Sequence, residues 1–176
     1  MFPETIETAR LLLRRPRISD AADIFVEYAR DVEVTRYMDW KPHANIQDTL
    51  EFLPRCDAGW ATGREFTWGL TFAGEDRVVG MIAIRPDKYK ADIGYVLARR
   101  YWGRGLMAEA GKAIVAAALA DPQLRRISAT CDADNYASAR VMEKIGMQRE
   151  GLLRRWMVHP NISPEPRDAL LYAVVR

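Results

Sequence analysis

The sequence predicts a single α+β domain with an antiparallel first half and a β-α-β-α-β second half. The length of 176 residues suits one domain with a substantial core. Strand-like runs separated by turn residues occupy the middle of the chain, and strand-like and helix-like runs alternate after them. No internal repeat, low-complexity tract or linker divides the sequence. We therefore expect one mixed α/β fold around one sheet.

The first third of the chain is predicted to contain one strand and three helices. Residues 10–15 are strand-like and are stopped by a proline. Ser19 is typical of the N-cap of a first helix, and Asp31 of a second, short one. A third helix from Ile46 is expected to be interrupted near Pro54, because proline removes a backbone donor.

The rest of the chain is predicted to alternate strands and helices after a three-stranded meander. Glycine, proline and aspartate mark its turns, and Gly146 is expected to end a short helix. The predicted elements are strands over residues 66–72, 78–84 and 91–97, a helix over 106–119, a strand over 126–131, a helix over 138–145, and strands over 147–157 and 169–175.

Composition and charge exclude several classes of protein. The 26 basic and 24 acidic residues leave a net charge of +2, too small to predict a nucleic-acid or membrane partner. Cys56 and Cys131 lack the spacing of metal ligands, and His43 and His159 are isolated, so no metal site is expected. The N-terminus does not resemble a signal peptide, and the longest apolar run, residues 113–120, is too short to span a bilayer. We expect a cytoplasmic protein.

One segment carries a pattern that points to chemistry. Arg100, Gly103 and Gly105 form an R-x-x-G-x-G pattern between a predicted strand and a predicted helix. Glycines permit a tight bend and a close approach of backbone N–H groups to a ligand, and a helix N-terminus carries a partial positive charge. The pattern thus predicts a site for an anion such as a pyrophosphate. The expected main-chain donors are Trp102, Gly103, Arg104, Gly105 and Leu106.

The same glycines have two other interpretations. A plain strand-to-helix turn would show the same spacing. A dinucleotide-binding domain is the other, because Ala108 completes a G-x-G-x-x-A pattern. That fingerprint normally follows the first strand of a parallel sheet. Here it follows an apparent antiparallel meander, which makes the dinucleotide interpretation the weaker one.

Two longer stretches resemble a known superfamily. Residues 93–97 (IGYVL) with 101–110 (YWGRGLMAEA) strongly resemble motif A of the GCN5-related N-acetyltransferases, or GNAT superfamily. Residues 135–138 (NYAS) with 141–147 (VMEKIGM) agree with a second motif of that superfamily. Within it, the chain is similar to the ribosomal-protein N-terminal acetyltransferase branch, the Rim type. The resemblance covers nearly the whole chain.

The resemblance implies a GNAT fold that binds acetyl-CoA. We then expect a twisted, mostly antiparallel sheet of about seven strands, with helices on both faces and a splayed strand pair that holds the cofactor. The resemblance assigns the pantetheine arm and thioester carbonyl to the backbone of the first splayed strand, the pyrophosphate to the following loop, and the pantetheine end to an asparagine. The matching residues are Tyr95, Val96 and Leu97 in the strand, Trp102, Gly103, Arg104, Gly105, Leu106 and Met107 in the loop, and Asn135.

The resemblance also implies a group that assists the departing thiolate. Many GNAT enzymes use a tyrosine seven residues after the asparagine, but Met142 occupies that position and cannot donate a proton. The Rim-type branch instead places a serine three residues after the asparagine, where this chain has Ser138. We therefore assign Ser138 to the sulfur of coenzyme A. The alternative is an ordinary serine in the first turn of a helix.

The base that deprotonates the amine is left open between two carboxylates. Glu65 lies near the position of the Rim-type carboxylate, although a shift of one residue would place Phe66 there. Asp92 is the other candidate, and each is also typical of a solvated acid at a strand end. Water relayed to backbone groups also serves as base in this superfamily.

The function expected from the resemblance is transfer of acetyl from acetyl-CoA to a primary amine in a ternary complex. The acceptor is expected to be a small-molecule amine or a protein N-terminus, and the protein a monomer or homodimer. A non-catalytic acyl-CoA-binding module is the main alternative, since the tyrosine is missing. Acetylation of a small amine or an antibiotic is another, because a fold does not determine its substrate.

Overall fold

The computed structural model describes residues 2–176, which form an eight-stranded sheet with helices on both faces. The strands are β1 (Thr5–Glu7), β2 (Leu11–Arg14), β3 (Phe66–Phe72), β4 (Gly80–Asp87), β5 (Lys90–Leu97), β6 (Arg126–Asp132), β7 (Gln148–Met157) and β8 (Arg167–Val175). The α-helices are α1 (Ala21–Ile24), α2 (Val32–Thr35), α3 (Ile46–Thr62), α4 (Leu106–Ala120) and α5 (Tyr136–Ile145). The strand order is β1-β2-β3-β4-β5-β6-β8-β7.

Two cores form, one on each face of the sheet. Helices α4 and α5 cover the face that carries the larger core, where Ile114 and Met142 are completely buried against strand residues such as Ile93 and Ile127. Helices α1, α2 and α3 cover the opposite face around a smaller core. That second core consists of Ala21, Ile24, Tyr28, Ala29, Val34, Leu53, Val78, Met81 and Ala98. The predicted α+β class, with helices on both faces, is confirmed.

Strands β5 and β6 are the only parallel neighbours within residues 2–176, and they separate soon after they begin. Their pairing covers three positions, Lys90 with Arg126, Ala91 with Ile127 and Asp92 with Ser128. From Ile93 onward β5 is paired only with β4, while β6 continues along β8. The expected splayed pair is therefore present, and a gap opens toward the carboxyl ends of both strands.

The structure differs from the sequence predictions in the first half of the chain. Strand β1 was not predicted, because three residues give no usable alternation; it pairs with β2 at the sheet edge. Strand β4 begins two residues later and ends three residues later than the predicted 78–84 strand. A π-helical turn at Phe25–Ala29 extends the first helix.

The predicted interruption of the third helix near Pro54 is wrong. Helix α3 runs from Ile46 to Thr62 with Pro54 inside it. Pro54 lies on the exposed side, whereas Leu53 and Cys56 are buried on the other. Because that buried side packs against the sheet, its burial offsets the roughly 3 kcal/mol that an interior proline costs.

No α-helix within residues 2–176 is both long and apolar enough to cross a membrane.

Gly80 lets β4 approach β5 closely, and replacing it should loosen this pair. A Cβ at Gly80 would lie 2.5 Å from the Val96 carbonyl oxygen and 3.1 Å from the Leu97 Cα, which are backbone atoms that cannot turn aside. We expect Gly80→Ala to lower the free energy of unfolding by about 1–3 kcal/mol, measured by urea denaturation. Gly151→Ala is the matched control, since no atom lies within 4 Å of its added Cβ. Equal stability of the two variants would contradict this account.

Candidate active site

The R-x-x-G-x-G segment forms the turn from β5 into α4. Gly103 and Gly105 both have φ +75°, a left-handed conformation that favours glycine. Gly105 is the N-cap of α4, and no side chain caps the helix. The first helical bond runs from the Glu109 N–H to the Gly105 carbonyl, at 3.0 Å. The N–H groups of Leu106, Met107 and Ala108 therefore have no acceptor within the helix and are available to an anion.

An arginine from the N-terminal region holds this turn in place. The Arg10 guanidinium donates to the Arg104 carbonyl at 3.0 Å and, through Nε, to Glu109 Oε2 at 2.7 Å. Glu109 also accepts from the Arg10 N–H at 2.8 Å and from the Thr8 hydroxyl at 2.6 Å. Burial opposes ionisation of Glu109, but these hydrogen bonds and the Arg10 charge outweigh it and lower the pKa of the carboxyl. Arg10 thus links the turn to the first turn of α4. We call this set, Thr8, Arg10, Arg104 and Glu109, the Arg10 clamp.

Arg100, the arginine of the motif, forms an ion pair within the fold and does not extend toward the turn that could bind an anion. Arg100 forms an ion pair with Glu27, whose side chain is 3% exposed and which also pairs with Arg77 at 3.0 Å. Glu27 belongs to the π-helical turn, so this contact ties the loop before α4 to the opposite face of the sheet. Arg99 likewise pairs with Asp31, at 3.1 Å.

The open edge of β5 presents main-chain groups to the gap. The Ala98 N–H donates to the Val79 carbonyl beside β4. Because main-chain groups alternate in direction along a strand, those of Val96 also point toward β4, whereas those of Tyr95 and Leu97 point into the gap. The Leu97 carbonyl accepts from the Trp102 indole N–H at 2.7 Å. Of the three strand residues predicted to offer backbone groups, Val96 is the one directed away from the gap.

Tyr95 and Ser138 meet across the gap. The Tyr95 phenol lies 2.8 Å from Ser138 Oγ and 3.1 Å from the Ser138 carbonyl oxygen. Burial raises the pKa of the phenol, opposed by its hydrogen bond to Ser138, so Tyr95 stays protonated. When Tyr95 donates to Ser138 Oγ, the serine proton is free for a ligand. The sequence identified both residues, but not this contact between their side chains.

Asn135 caps α5 and fixes Ser138 in its first turn. Asn135 Oδ1 accepts from the Ser138 N–H at 3.1 Å. The Cys131 thiol of β6 also lies by Ser138, and burial raises the pKa of that thiol to about 11. Met142, at the position of the missing tyrosine, is completely buried in the larger core. It is a packing residue.

The two candidate bases share one arginine on the α1–α3 face of the sheet. Arg85 of β4 donates to Asp92 Oδ2 from Nε at 2.9 Å, and its Nη1 lies 3.6 Å from Glu65 Oε1. The guanidinium lies over β5, 3.1 Å from a Cβ placed on Gly94. Glu65 is therefore the less engaged of the two carboxylates, while Asp92 is occupied by Arg85.

A second polar cluster lies on the β6 side of the gap. Asp132 is completely buried and accepts two hydrogen bonds from Arg167, at 2.6 and 3.1 Å. Next to it is His159, in the loop between β7 and β8. The Asn161 side-chain amide anchors this loop by donating to the Thr35 and Trp40 carbonyls, at 2.6 and 2.8 Å. The sequence analysis gave no role to Asp132 and noted His159 only as an isolated histidine.

The tryptophans are mainly structural. Trp68 is completely buried, and its indole donates to the Pro3 carbonyl. Trp60 packs edge-on against Trp68 and donates to the Thr67 carbonyl. Trp40 packs against the second core and beside His43. Within residues 2–176 no group of three His, Cys, Asp or Glu side chains could hold a metal ion.

Comparison with known proteins agrees with this arrangement. A family model described as an acetyltransferase (GNAT) domain matches residues 10–148. The uncharacterized N-acetyltransferase YoaA of Bacillus subtilis is 31% identical over 179 residues, covering 100% of this chain and 98% of that protein.

Solved structures share the fold. A GNAT-family acetyltransferase from Bacillus anthracis is 30% identical, with a TM-score of 0.84 over 97% of this chain and 98% of that one. The ribosomal-protein α-N-acetyltransferase RimL, solved with coenzyme A, has a TM-score of 0.85 at 19% identity and covers 98% of each chain. The family match and the similarity over full length show that this chain belongs to the GNAT family of N-acetyltransferases.

Proposed function

We propose that the chain transfers the acetyl group of acetyl-CoA to a primary amine, by direct attack of the amine while both substrates are bound. The observation that carries this proposal is the gap between β5 and β6, which leads directly to the uncapped N-terminus of α4. An extended pantetheine arm joined to a pyrophosphate matches a strand edge followed by a set of unpaired N–H donors.

Residues along the gap and the following turn can bind the pantetheine arm and the pyrophosphate of acetyl-CoA. The main-chain donors from Gly103 to Met107 would hold the pyrophosphate, since Leu106 and Met107 bury their side chains and leave only their N–H groups for a ligand. The predicted Trp102 donor drops out of this set, because its main-chain N–H already donates to the Arg99 carbonyl at 3.1 Å. Tyr95 and Leu97 would bind the pantetheine arm with their main chain, as an added strand would. Asn135, as cap of α5, borders the inner end of the gap.

Ser138 would donate to the sulfur as the thioester breaks. Its hydroxyl faces the gap beside Tyr95, and Tyr95 in turn keeps it oriented. The Tyr95–Ser138 pair takes the place of the single tyrosine that Met142 replaces. A hydrogen bond to a developing thiolate lowers the barrier because the charge increases in the transition state.

Glu65 and Asp92 are the two carboxylates that we propose as bases. Glu65 is favoured because its contact with Arg85 is longer than that of Asp92, which leaves it freer to accept a proton. Both acids lie on the α1–α3 face, opposite Ser138. An amine entering from that face would reach the thioester on the side away from the sulfur donor.

A protein N-terminus is the proposed acceptor class. RimL, which shares the fold, is an α-N-acetyltransferase of a ribosomal protein, and this likeness supports the class. The mixed charges of Arg85, Asp92 and Glu65 suit the polar backbone of a peptide better than a strongly cationic molecule.

Ser138→Ala tests the function and the serine role together. The wild type is expected to bind acetyl-CoA and to acetylate at least one member of a panel of N-terminal peptides and small amines, followed by mass spectrometry. The variant should lower kcat about 10²-fold, because a donor to the thiolate is lost, with little change in the Kd for acetyl-CoA by calorimetry.

Three results would contradict these assignments in different ways. No binding of acetyl-CoA would contradict the donor site. Binding without acetylation of any amine would identify a non-catalytic acyl-CoA-binding module. Normal turnover by the variant would contradict the serine role alone.

Arg10→Met tests whether the Arg10 clamp holds the turn before α4 in the conformation that binds the pyrophosphate. The variant keeps an aliphatic stem but frees the Arg104 carbonyl and leaves Glu109 without its cation near the incoming phosphates. We expect the Kd for coenzyme A to rise about tenfold, or about 1.4 kcal/mol, measured by calorimetry. Arg15→Met is the control, since Arg15 pairs with Glu4 and Asp57. An unchanged Kd for coenzyme A in Arg10→Met would show that the turn binds the pyrophosphate without the Arg10 clamp.

A further inference from the structure

His159 is a buried histidine whose ring has no hydrogen-bond partner among residues 2–176. The residue is 1% exposed, and neither Nδ1 nor Nε2 makes a hydrogen bond. Buried polar groups are almost always paired, so an unpaired buried imidazole needs an explanation such as a bound water or a ligand group. The other histidine of the sequence, His43, shows the ordinary situation, because its Nδ1 lies 2.7 Å from the Thr49 hydroxyl.

Carboxylates and one guanidinium lie close to the imidazole. Asp132 of β6 is nearest, with Oδ2 3.5 Å from His159 Nε2. Arg167 of β8 bridges Asp132 and Asp134, and the Tyr37 ring lies edge-on to the imidazole with 6.1 Å between ring centroids. Two carboxylates therefore share one guanidinium. The cluster beside the imidazole thus contains one more carboxylate than guanidinium groups.

The pKa of the Asp132 carboxyl is lowered in the fold, so this carboxylate can act as a partner to the His159 ring. Burial opposes its ionisation, but the hydrogen bonds from Arg167 and from the Asp134 N–H outweigh burial and lower the pKa of Asp132. A fixed carboxylate beside an imidazole orients the ring and stabilises the charge that the ring gains.

The pair lies on the side of the gap opposite Ser138. Asp132 directly follows Cys131, whose side chain belongs to the larger core and contacts Ser138. Because side chains alternate along a strand, Asp132 and its neighbour His159 face the other side, where α2 and the β7–β8 loop lie. A thioester in the gap would then have its sulfur donor on one face and His159 on the other.

We propose that His159, paired with Asp132, takes up the proton that the acceptor amine releases. The proposal rests on the proposed function and adds a third candidate to Glu65 and Asp92. The amine nitrogen forms a bond to the acetyl carbon, and the carbon–sulfur bond breaks to release a thiolate that accepts a hydrogen bond from Ser138. The nitrogen loses its extra proton to His159, directly or through one water held by the unpaired ring nitrogens. The imidazolium then releases its proton to solvent, and the coenzyme A thiolate takes up a proton from solvent.

The first test compares two measurements on the wild-type protein. Activity should fall at low pH, since a protonated imidazole cannot accept a proton. The apparent pKa of this acid limb of kcat/KM should equal the pKa of His159 measured by NMR in the free enzyme. His43→Gln assigns the two imidazole signals, because the sequence has only two histidines. The profile is measured with two acceptor amines of different pKa. An acid limb that comes from the enzyme stays at the same pH with both amines, whereas one that comes from the amine shifts with its pKa. A limb that does not match the titration of His159 would overturn the proposal.

The second test uses His159→Gln with Glu65→Gln and Asp92→Asn alongside. We expect His159→Gln to lower kcat about 10²-fold and to remove the acid limb, with the Kd for acetyl-CoA unchanged. His43→Gln should keep the normal rate and profile. An acid limb retained in His159→Gln but lost in Glu65→Gln or Asp92→Asn would assign the base to that carboxylate and overturn the proposal.

If His159→Gln does not fold, the first test decides the proposal, because it compares the acid limb of kcat/KM with the NMR titration of His159 in the wild-type protein. Failure of acetyl-CoA to bind the wild type would count against the proposed function instead.

Discussion

The separation of β5 and β6 after three residue pairs is the constraint on which the site depends. A sheet normally satisfies its main-chain groups by pairing neighbouring strands, and an interior edge left open is unfavourable unless something else occupies it. Here the open edge lies between two well-paired halves, β1 to β5 and β6 to β8. The remaining sheet stays intact, so the gap is a fixed feature of the fold and a natural place for an extended ligand.

Four sets of contacts prepare this gap and the loop that follows it. Trp102 satisfies the Leu97 carbonyl at one end, and the Tyr95–Ser138 pair spans the middle. The Arg10 clamp and the Glu27–Arg100 pair fix the loop that leads into α4. Both ion-pair sets join distant parts of the chain to one short loop. This arrangement reduces the ordering that the loop would otherwise undergo when it binds an anion.

The sequence was sufficient for the main features of the fold. Periodicity located the central strands and α4, and the glycines predicted the tight turn that Gly103 and Gly105 form. Local patterns failed where long-range packing decides. Helix α3 continues through Pro54 because its buried side packs on the sheet. Strand β1 exists only because β2 offers it an edge.

The polar networks of the site could not be read from spacing. Arg10 and Glu109 are 99 positions apart, and each looks like an ordinary surface residue in the sequence. His159 is isolated in the sequence, yet the fold buries it against Asp132. Motifs identify residues that meet a ligand through their main chain, since glycine and helix starts have local signals. Side-chain partners from separate elements become visible only when the topology brings them together.

Amide hydrogen exchange with and without coenzyme A tests the central claim most directly. If the gap and the turn hold the donor, coenzyme A should slow exchange at Tyr95, at Leu97 and over residues 103–108. Amides of the β1–β2 edge should be unaffected. Protection confined to other parts of the chain, or no protection despite measurable binding, would contradict the account.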